Sequence, residues 1–166
     1  MTDSSSRSIS DLVQQLAEKL LAKKLIMATA ESCTGGWIAQ ALTAVAGSSN
    51  WFDTGFVTYS DDAKQKLLEV PNSFFESDGP GAVSEETVLA MTRGALANSR
   101  ANVAVAVSGI AGPDGGSDEK PVGTVWIAWQ WQDKSLARRF QFAGDREAVR
   151  LASVSAALQG ALSLLD

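Results

Sequence analysis

The fold of this chain is set where a strand passes into a helix, in residues 27–36, which read Met-Ala-Thr-Ala-Glu-Ser-Cys-Thr-Gly-Gly. An apolar run over residues 25–30 predicts a buried strand, and apolar residues at three- and four-residue spacing from Trp37 onward predict a helix. Polar side chains therefore lie at the carboxyl end of a strand, where open α/β sheets bind ligands. The unpaired N–H groups of a helix start also suit an oxyanion or a phosphate. In a purely structural interpretation, which stays open, Ser32 or Thr34 merely caps the helix.

The composition is typical of one globular domain. The chain has 166 residues, of which 45% are hydrophobic and 20% charged, and its formal net charge is −5. This acidic balance, with no basic cluster beyond Lys23-Lys24 and Arg138-Arg139, argues against a nucleic-acid binder. No apolar run approaches the roughly 20 residues that span a bilayer, and Cys33 is the only cysteine. We therefore expect a cytoplasmic protein with no nucleic-acid or membrane partner.

The absence of histidine restricts the chemistry most strongly. With no histidine and one cysteine, the chain cannot form a Ser-His-Asp or Cys-His catalytic unit, and zinc loses its commonest ligands. We expect neither a metal nor a cofactor. If the protein is an enzyme, its general base must be a lysine, tyrosine, aspartate or glutamate.

The pattern along the chain predicts one layered α/β domain. We expect a polar N-terminal tail over residues 1–7 and a single domain over residues 8–166. Apolar periodicity and turn residues predict the element order α-β-α-β-α-α-β-β-β-α. This order fits a single-domain α/β sandwich with a mixed, mainly parallel sheet.

Three polar segments follow predicted strands, at residues 31–36, 59–64 and 108–116. If those strands run parallel, the segments meet at one edge of the sheet and form a pocket. Ser32 is the best placed nucleophile, but a serine needs a neighbouring base. Lys64 could be that base, because burial weakens the hold of a lysine on its proton and only the neutral amine accepts another.

Several alternatives to these roles stay open. Lys66 is a rival base, and Lys64 could be an ordinary solvated helix lysine. Tyr59 could relay a proton to Lys64 or bond the leaving group. Cys33 could be a nucleophile, although a buried structural thiol is favoured in a chain without histidine. Arg146 opens the last helix, where a cation gains nothing from the dipole, so it could hold a phosphate or carboxylate or pair with a neighbouring acid.

Self-association is one further partnership that the pattern allows. The aromatic run Trp126, Trp129 and Trp131 is compatible with a homodimer face. Packing of these side chains in the core explains the run equally well. Their burial therefore bears on the choice between the two interpretations.

Several longer motifs together resemble one protein family. In chain order they are Thr29-Ala-Glu-Ser-Cys-Thr-Gly-Gly36, Gly55-Phe-Val-Thr-Tyr-Ser60, Gly81-Ala-Val-Ser84, Ser108-Gly-Ile-Ala-Gly-Pro-Asp-Gly-Gly116, Lys120-Pro-Val-Gly-Thr124 and Gly144-Asp-Arg146. This set is similar to the CinA C-terminal domain family, and the similarity extends over about residues 9–165. The resemblance implies a stand-alone nicotinamide-nucleotide amidohydrolase, which converts nicotinamide mononucleotide to nicotinic acid mononucleotide and ammonia.

The resemblance also implies roles for individual residues. Ser32 would be the nucleophile, Lys64 the base and Tyr59 its helper, in a metal-free serine amidase. The glycine-rich loops and one arginine would bind the nucleotide. The substrate-binding residues expected are Glu31, Cys33, Thr34, Gly35, Gly36, Ser48, Ser108, Gly109, Gly112, Asp114, Gly115, Gly116 and Arg146. A regulatory nucleotide-binding module with a degenerate site, and an amidase for another phosphorylated amide, stay open as alternatives.

Overall fold

Five α-helices and a five-stranded sheet make up the computed structural model, which describes residues 7–166. Residues 1–6 of the expected tail lie outside the described residues. The order of helices and strands is the one predicted from the sequence. The elements are α1 (Ile9–Lys23), β1 (Met27–Glu31), α2 (Trp37–Thr43), β2 (Phe52–Val57), α3 (Asp61–Leu68), α4 (Glu85–Ala97), β3 (Val103–Gly109), β4 (Thr124–Trp131), β5 (Lys134–Gln141) and α5 (Arg146–Leu164).

The sheet is mixed, with the strand order β2-β1-β3-β4-β5. β1 pairs in parallel with β2 and β3, whereas the pairs β3–β4 and β4–β5 are antiparallel. The predicted α/β sandwich is confirmed, but the expectation of a mainly parallel sheet is wrong, since two of four pairs are antiparallel. The cause lies in the connections: only Gln132 and Asp133 join β4 to β5, and no helix joins β3 to β4. Parallel pairing needs a long crossover, usually a helix.

Helices cover both faces of the sheet, and the strand residues alternate between them. Residues Val103, Val105 and Val107 of β3 belong to the cluster that includes α1, α2 and α5. The intervening Ala104 and Ala106 belong to the cluster that includes α4. This alternation follows from the two-residue period of a strand. β3 is therefore buried on both faces. Over residues 7–166, no helix combines the length and apolarity that a membrane crossing requires.

The aromatic run of β4 packs in the core. Trp129 is 1% exposed, and its indole N–H donates to the carbonyl oxygen of Ala157 in α5 at 2.8 Å. Trp131 is partly buried against the same cluster, and Trp126 is partly buried against the other. Core packing therefore accounts for these side chains, and the homodimer stays a prediction.

We predict that Gly160→Ala destabilises the fold. A Cβ at Gly160 would overlap the ring of Trp129, whose position the hydrogen bond to Ala157 maintains. Overpacking of a core typically costs about 1–3 kcal/mol, and the helix-propensity gain over glycine returns up to about 1 kcal/mol. Urea denaturation followed by tryptophan fluorescence measures the loss. The exposed neighbour Gln159→Ala is the control, and its free energy of unfolding should stay within about 0.5 kcal/mol of the parent. Equal stability of both variants would contradict the clash.

Candidate active site

The carboxyl ends of β2, β1 and β3 lie side by side. Glu31 is level with Val57 of β2 and with Val107 of β3, so the three following segments start at the same height. They enclose a cavity of about 260 Å³, as the sequence predicted for this edge. Its lining residues are Ser32, Cys33, Tyr59, Lys64, Ala82, Val83, Ser108, Gly109, Ala111 and Arg146. A wider groove of about 1010 Å³ runs along β5 and α5 and is lined by none of the predicted site residues.

Lys64 and Ser32 are in direct contact. The Lys64 ammonium nitrogen Nζ lies 2.9 Å from Ser32 Oγ and donates to the carbonyl oxygen of Thr58 at 2.7 Å. Lys64 is 1% exposed and Ser32 8%. Burial lowers the pKa of Lys64 below its ordinary value of 10.5, although the nearby Asp61 carboxylate opposes the shift. A buried amine beside a hydroxyl is the arrangement that a serine–lysine pair needs.

The geometry separates the two rival lysines. α3 begins after Ser60, whose hydroxyl accepts from the backbone N–H of Ala63 and caps the helix. This start turns Lys64 inward and leaves Lys66 exposed. Lys64 is therefore the lysine that the structure brings to Ser32.

Glu31 is a structural residue in this structure. Its fully buried carboxylate accepts from the Thr34 hydroxyl at 2.7 Å and from the backbone N–H groups of Ile38 and Ala39 at 2.8 and 3.0 Å. The Glu31 carboxylate thus already occupies the amides of Ile38 and Ala39 at the start of α2, so these two donors are not free for an oxyanion or phosphate in this structure. The expected substrate contacts Glu31 and Thr34 instead satisfy each other. Neither Ser32 nor Thr34 caps α2, whose cap residue is Gly36.

Cys33 lines the cavity but is poorly suited as a nucleophile. The residue is 6% exposed. Burial raises the pKa of the Cys33 thiol to about 11, so little thiolate is present near neutral pH. The thiolate is the reactive form of cysteine. The structure thus supports the structural interpretation of this thiol.

Tyr59 and Arg146 meet at the mouth of the cavity. The Tyr59 side chain is 66% exposed, and its hydroxyl accepts from Arg146 Nη2 at 3.3 Å. The nearest approach of Tyr59 to the Lys64 amine is by its backbone carbonyl oxygen, at 3.4 Å. The expected proton relay through the Tyr59 hydroxyl therefore has no direct contact with Lys64 in this structure.

Arg146 keeps its positive charge free at the mouth. Its Nη1 donates to the carbonyl oxygen of Gly112 at 2.7 Å. The neighbouring Asp145 caps α5 by accepting from the backbone N–H of Ala148 at 2.9 Å. Among residues 7–166, the ion pairs join Lys19 to Asp166 and Arg100 to Asp53, so neither involves Arg146. An uncompensated guanidinium beside the cavity suits an anionic substrate.

Of the remaining predicted binding residues, only Ser108 and Gly109 line the cavity. Gly35, Gly36 and Gly112 border it without lining it: the first two form the turn after Ser32 with φ of +60° and +99°, and the carbonyl oxygen of Gly112 accepts from Arg146. Four others lie farther from the lining, because their segments lead elsewhere. Asp114, Gly115 and Gly116 are exposed in the loop between β3 and β4, and Ser48 precedes the amino end of β2, at the opposite edge of the sheet.

Sequence reasoning missed three residues of the cavity wall: Ala111, which follows β3, and the pair Ala82 and Val83. Ala82 and Val83 precede α4, and the carbonyl oxygen of Gly81 before them accepts from the hydroxyls of Ser84 and Thr87, both at 2.7 Å. The motif over residues 81–84 was itself recognised. Ala82 and Val83 contribute only methyl groups to the cavity wall, so their side chains gave no chemical indication of a role.

Comparison with known proteins assigns the family. The model of the CinA C-terminal domain matches residues 9–165. The chain belongs to the CinA C-terminal domain family. The chain is 55% identical over 156 residues to the nicotinamide-nucleotide amidohydrolase PncC of Pseudomonas putida, and the match covers 94% of this chain and 96% of that protein. It is 49% identical over 160 residues to the Escherichia coli K12 protein of the same name, covering 96% and 94%.

A solved structure of the CinA family has the same fold. The competence/damage inducible protein CihA from Agrobacterium tumefaciens superposes on this chain with a TM-score of 0.91 at 46% identity. The superposition covers 95% of this chain and 96% of that one. The resemblance recognised in the sequence motifs is thus confirmed along nearly the whole chain.

We predict that the lysine in the cavity makes the stability depend on pH. Because burial lowers the pKa of Lys64 in the folded state, the unfolded chain binds more protons between that pKa and 10.5, and the free energy of unfolding rises with pH in this window. Lys64→Met removes this contribution. The stability of the variant relative to the parent should therefore fall as the pH rises from 7 toward 10.5. Urea denaturation at a series of pH values measures this difference.

The exposed Lys66→Met is the matched control on the same helix. Because Lys66→Met retains the buried Lys64, its free energy of unfolding should rise over the same pH range as that of the parent does. Parallel stability curves for the parent and Lys64→Met would contradict the burial effect.

Proposed function

We propose that this protein is a nicotinamide-nucleotide amidohydrolase that converts nicotinamide mononucleotide to nicotinic acid mononucleotide and ammonia. The observation that carries the proposal is the buried contact of 2.9 Å between Lys64 Nζ and Ser32 Oγ, beyond the carboxyl ends of the parallel strands β1 and β2. The two PncC relatives, matched over nearly their whole length, support the choice of substrate. The reaction would serve pyridine-nucleotide salvage in the cytoplasm, in keeping with one cysteine and no disulfide.

Lys64 supplies the proton transfers in the proposed mechanism. The neutral amine accepts the proton of the Ser32 hydroxyl along their contact, and Oγ attacks the carboxamide carbon. When the tetrahedral intermediate collapses, the Lys64 ammonium returns a proton to the leaving nitrogen and ammonia departs. Water then attacks the acyl-enzyme while Lys64 accepts its proton. As the ester bond breaks, the Lys64 ammonium returns this proton to Ser32 Oγ, and the released carboxylic acid ionises to the carboxylate product.

The oxyanion of the intermediate needs backbone donors other than those at the start of α2. The amides of Ile38 and Ala39 bind Glu31, and the amide of Gly35 binds the carbonyl oxygen of Ser32. We therefore assign the oxyanion to the amides of Cys33 and Gly109, two residues of the cavity lining.

We predict that Ser32→Ala abolishes the release of ammonia from nicotinamide mononucleotide. Loss of a catalytic nucleophile costs up to about a factor of 10⁶ in rate, whereas the fold should persist because the hydroxyl is a small part of the core. The measurement is ammonia release by the purified protein without added metal. A loss smaller than about tenfold would reject Ser32 as the nucleophile.

The matched control is the neighbouring Cys33→Ser. It should retain much of the activity, because the proposed mechanism uses no thiol. Complete inactivation with an unchanged melting temperature would favour the thiol as nucleophile. A parent protein that binds the nucleotide without releasing ammonia would instead support a regulatory binding module.

We predict that Arg146→Ala selectively weakens the reaction of the phosphorylated substrate. A charge-assisted hydrogen bond to phosphate contributes about 1.5–3 kcal/mol, so kcat/KM should fall by roughly 10- to 150-fold. Binding of this remote group also fixes the amide against Ser32. The dephosphorylated riboside should react poorly with both proteins and should be insensitive to the substitution. Equal losses on nucleotide and riboside would show that Arg146 does not recognise the phosphate, and thermal melting would then separate a catalytic from a folding role.

A further inference from the structure

Arg150 of α5 reaches the loop that carries the nucleophile. Its Nε donates to the carbonyl oxygen of Cys33 at 3.0 Å, and its Nη2 donates to that of Thr34 at 3.3 Å. The guanidinium carbon lies 5.5 Å from the ring centroid of Trp37, the first residue of α2. One side chain thus binds two consecutive carbonyl groups directly after Ser32 and packs on the helix that follows.

These contacts set the direction of the peptide groups in the loop. A peptide unit is planar and trans, so its N–H points opposite to its C=O. When Arg150 binds the carbonyl of Cys33, it also fixes the N–H of Thr34 on the far side of that peptide. The loop turns at Gly35 and Gly36, both with positive φ. Glycine tolerates many backbone conformations, so the loop needs contacts from outside to select one.

Two side chains of opposite charge bind the loop: an acidic one accepts hydrogen bonds from its donors, and a basic one donates to its carbonyl oxygens. Glu31 binds donors, namely the Thr34 hydroxyl and the amide of Ile38. Arg150 binds acceptors, the carbonyls of Cys33 and Thr34. The cavity lining does not include Arg150, so its guanidinium faces the loop rather than the space for substrate.

We propose that Arg150 is a positioning residue that holds the loop after Ser32 in its reactive conformation without binding substrate. Its effect on rate rests on the proposed amidase function, whereas its effect on the loop does not. The competing role for Arg150 is to bind the substrate phosphate together with Arg146. Loss of a positioning contact lowers kcat, whereas loss of a substrate contact shared by ground and transition states raises KM.

Two substitutions isolate the contact. Arg150→Met keeps the apolar stem over Trp37 and removes every donor. Arg150→Lys keeps the charge, but an ammonium lacks the planar fork that serves two carbonyls at once. Arg139→Met is the control, because Arg139 is exposed on β5 and donates to the carbonyl oxygen of Glu119 instead of this loop.

Alkylation of Cys33 by iodoacetamide reports on the loop independently of catalysis. Cys33 is the only cysteine and is 6% exposed, so mass spectrometry measures its modification rate directly. Removal of the Arg150 charge alone would raise the pKa of Cys33 and slow alkylation, because that charge helps to lower the pKa. An acceleration therefore reports opening of the loop. We expect it to be roughly ten- to hundredfold for Arg150→Met, smaller for Arg150→Lys, and within about twofold of the parent for Arg139→Met.

Steady-state kinetics with nicotinamide mononucleotide complete the test. We expect kcat of Arg150→Met to fall by roughly ten- to hundredfold while KM stays within about twofold. Unchanged alkylation and kcat in both folded variants, or a raised KM at constant kcat, would overturn the positioning role. Where Arg150→Met fails to fold by thermal melting, Arg150→Lys carries both measurements. If the parent protein hydrolyses no nucleotide, the proposed function fails, and the alkylation rates still decide the role of Arg150 in the loop.

Discussion

The active-site loop depends on one buried carboxylate, that of Glu31. A charge removed from water is tolerated only when hydrogen bonds replace its hydration. Glu31 receives three, from the Thr34 hydroxyl and from the amides of Ile38 and Ala39. Because these donors lie on the loop and on α2, both are tied to the end of β1. The location of Ser32, the residue after Glu31, follows from this arrangement.

The Lys64 amine is a second buried ionisable group, but its surroundings differ from those of Glu31. The Lys64 amine contacts a hydroxyl and two carbonyl oxygens, and no carboxylate pairs with it among residues 7–166. Burial without a paired carboxylate lowers the pKa of Lys64 below its ordinary value, which makes the neutral amine that a general base requires easier to form. The positive charge for an anionic substrate comes from α5, whose Arg146 lies at the cavity mouth. Although the protein carries a net charge of −5, its candidate active site presents a free cation.

Local signals in the sequence were enough to predict the order of elements and the main chemistry. The apolar run before Glu31 and the glycines after Ser32 predicted a strand, a turn and a helix, because each depends on neighbouring residues. The lack of histidine restricted the base to a few residue types. Parallel strands followed by polar loops placed Ser32 and Lys64 at one edge. The family motifs, which are also local patterns, then indicated the amidase.

Local sequence patterns could not predict the contacts between segments that are distant along the chain. Strand direction depends on the connection as well as on the strand, and the short turn after β4 and the connection without a helix between β3 and β4 made two of the four pairs antiparallel. Glu31 and Arg150 owe their roles to partners chosen by tertiary packing, since Arg150 binds a carbonyl 117 residues away. By itself the sequence determined the elements and the residue types available for chemistry. Only the tertiary structure decided which polar groups are buried and what satisfies them, because a buried hydrogen bond depends on proximity in space.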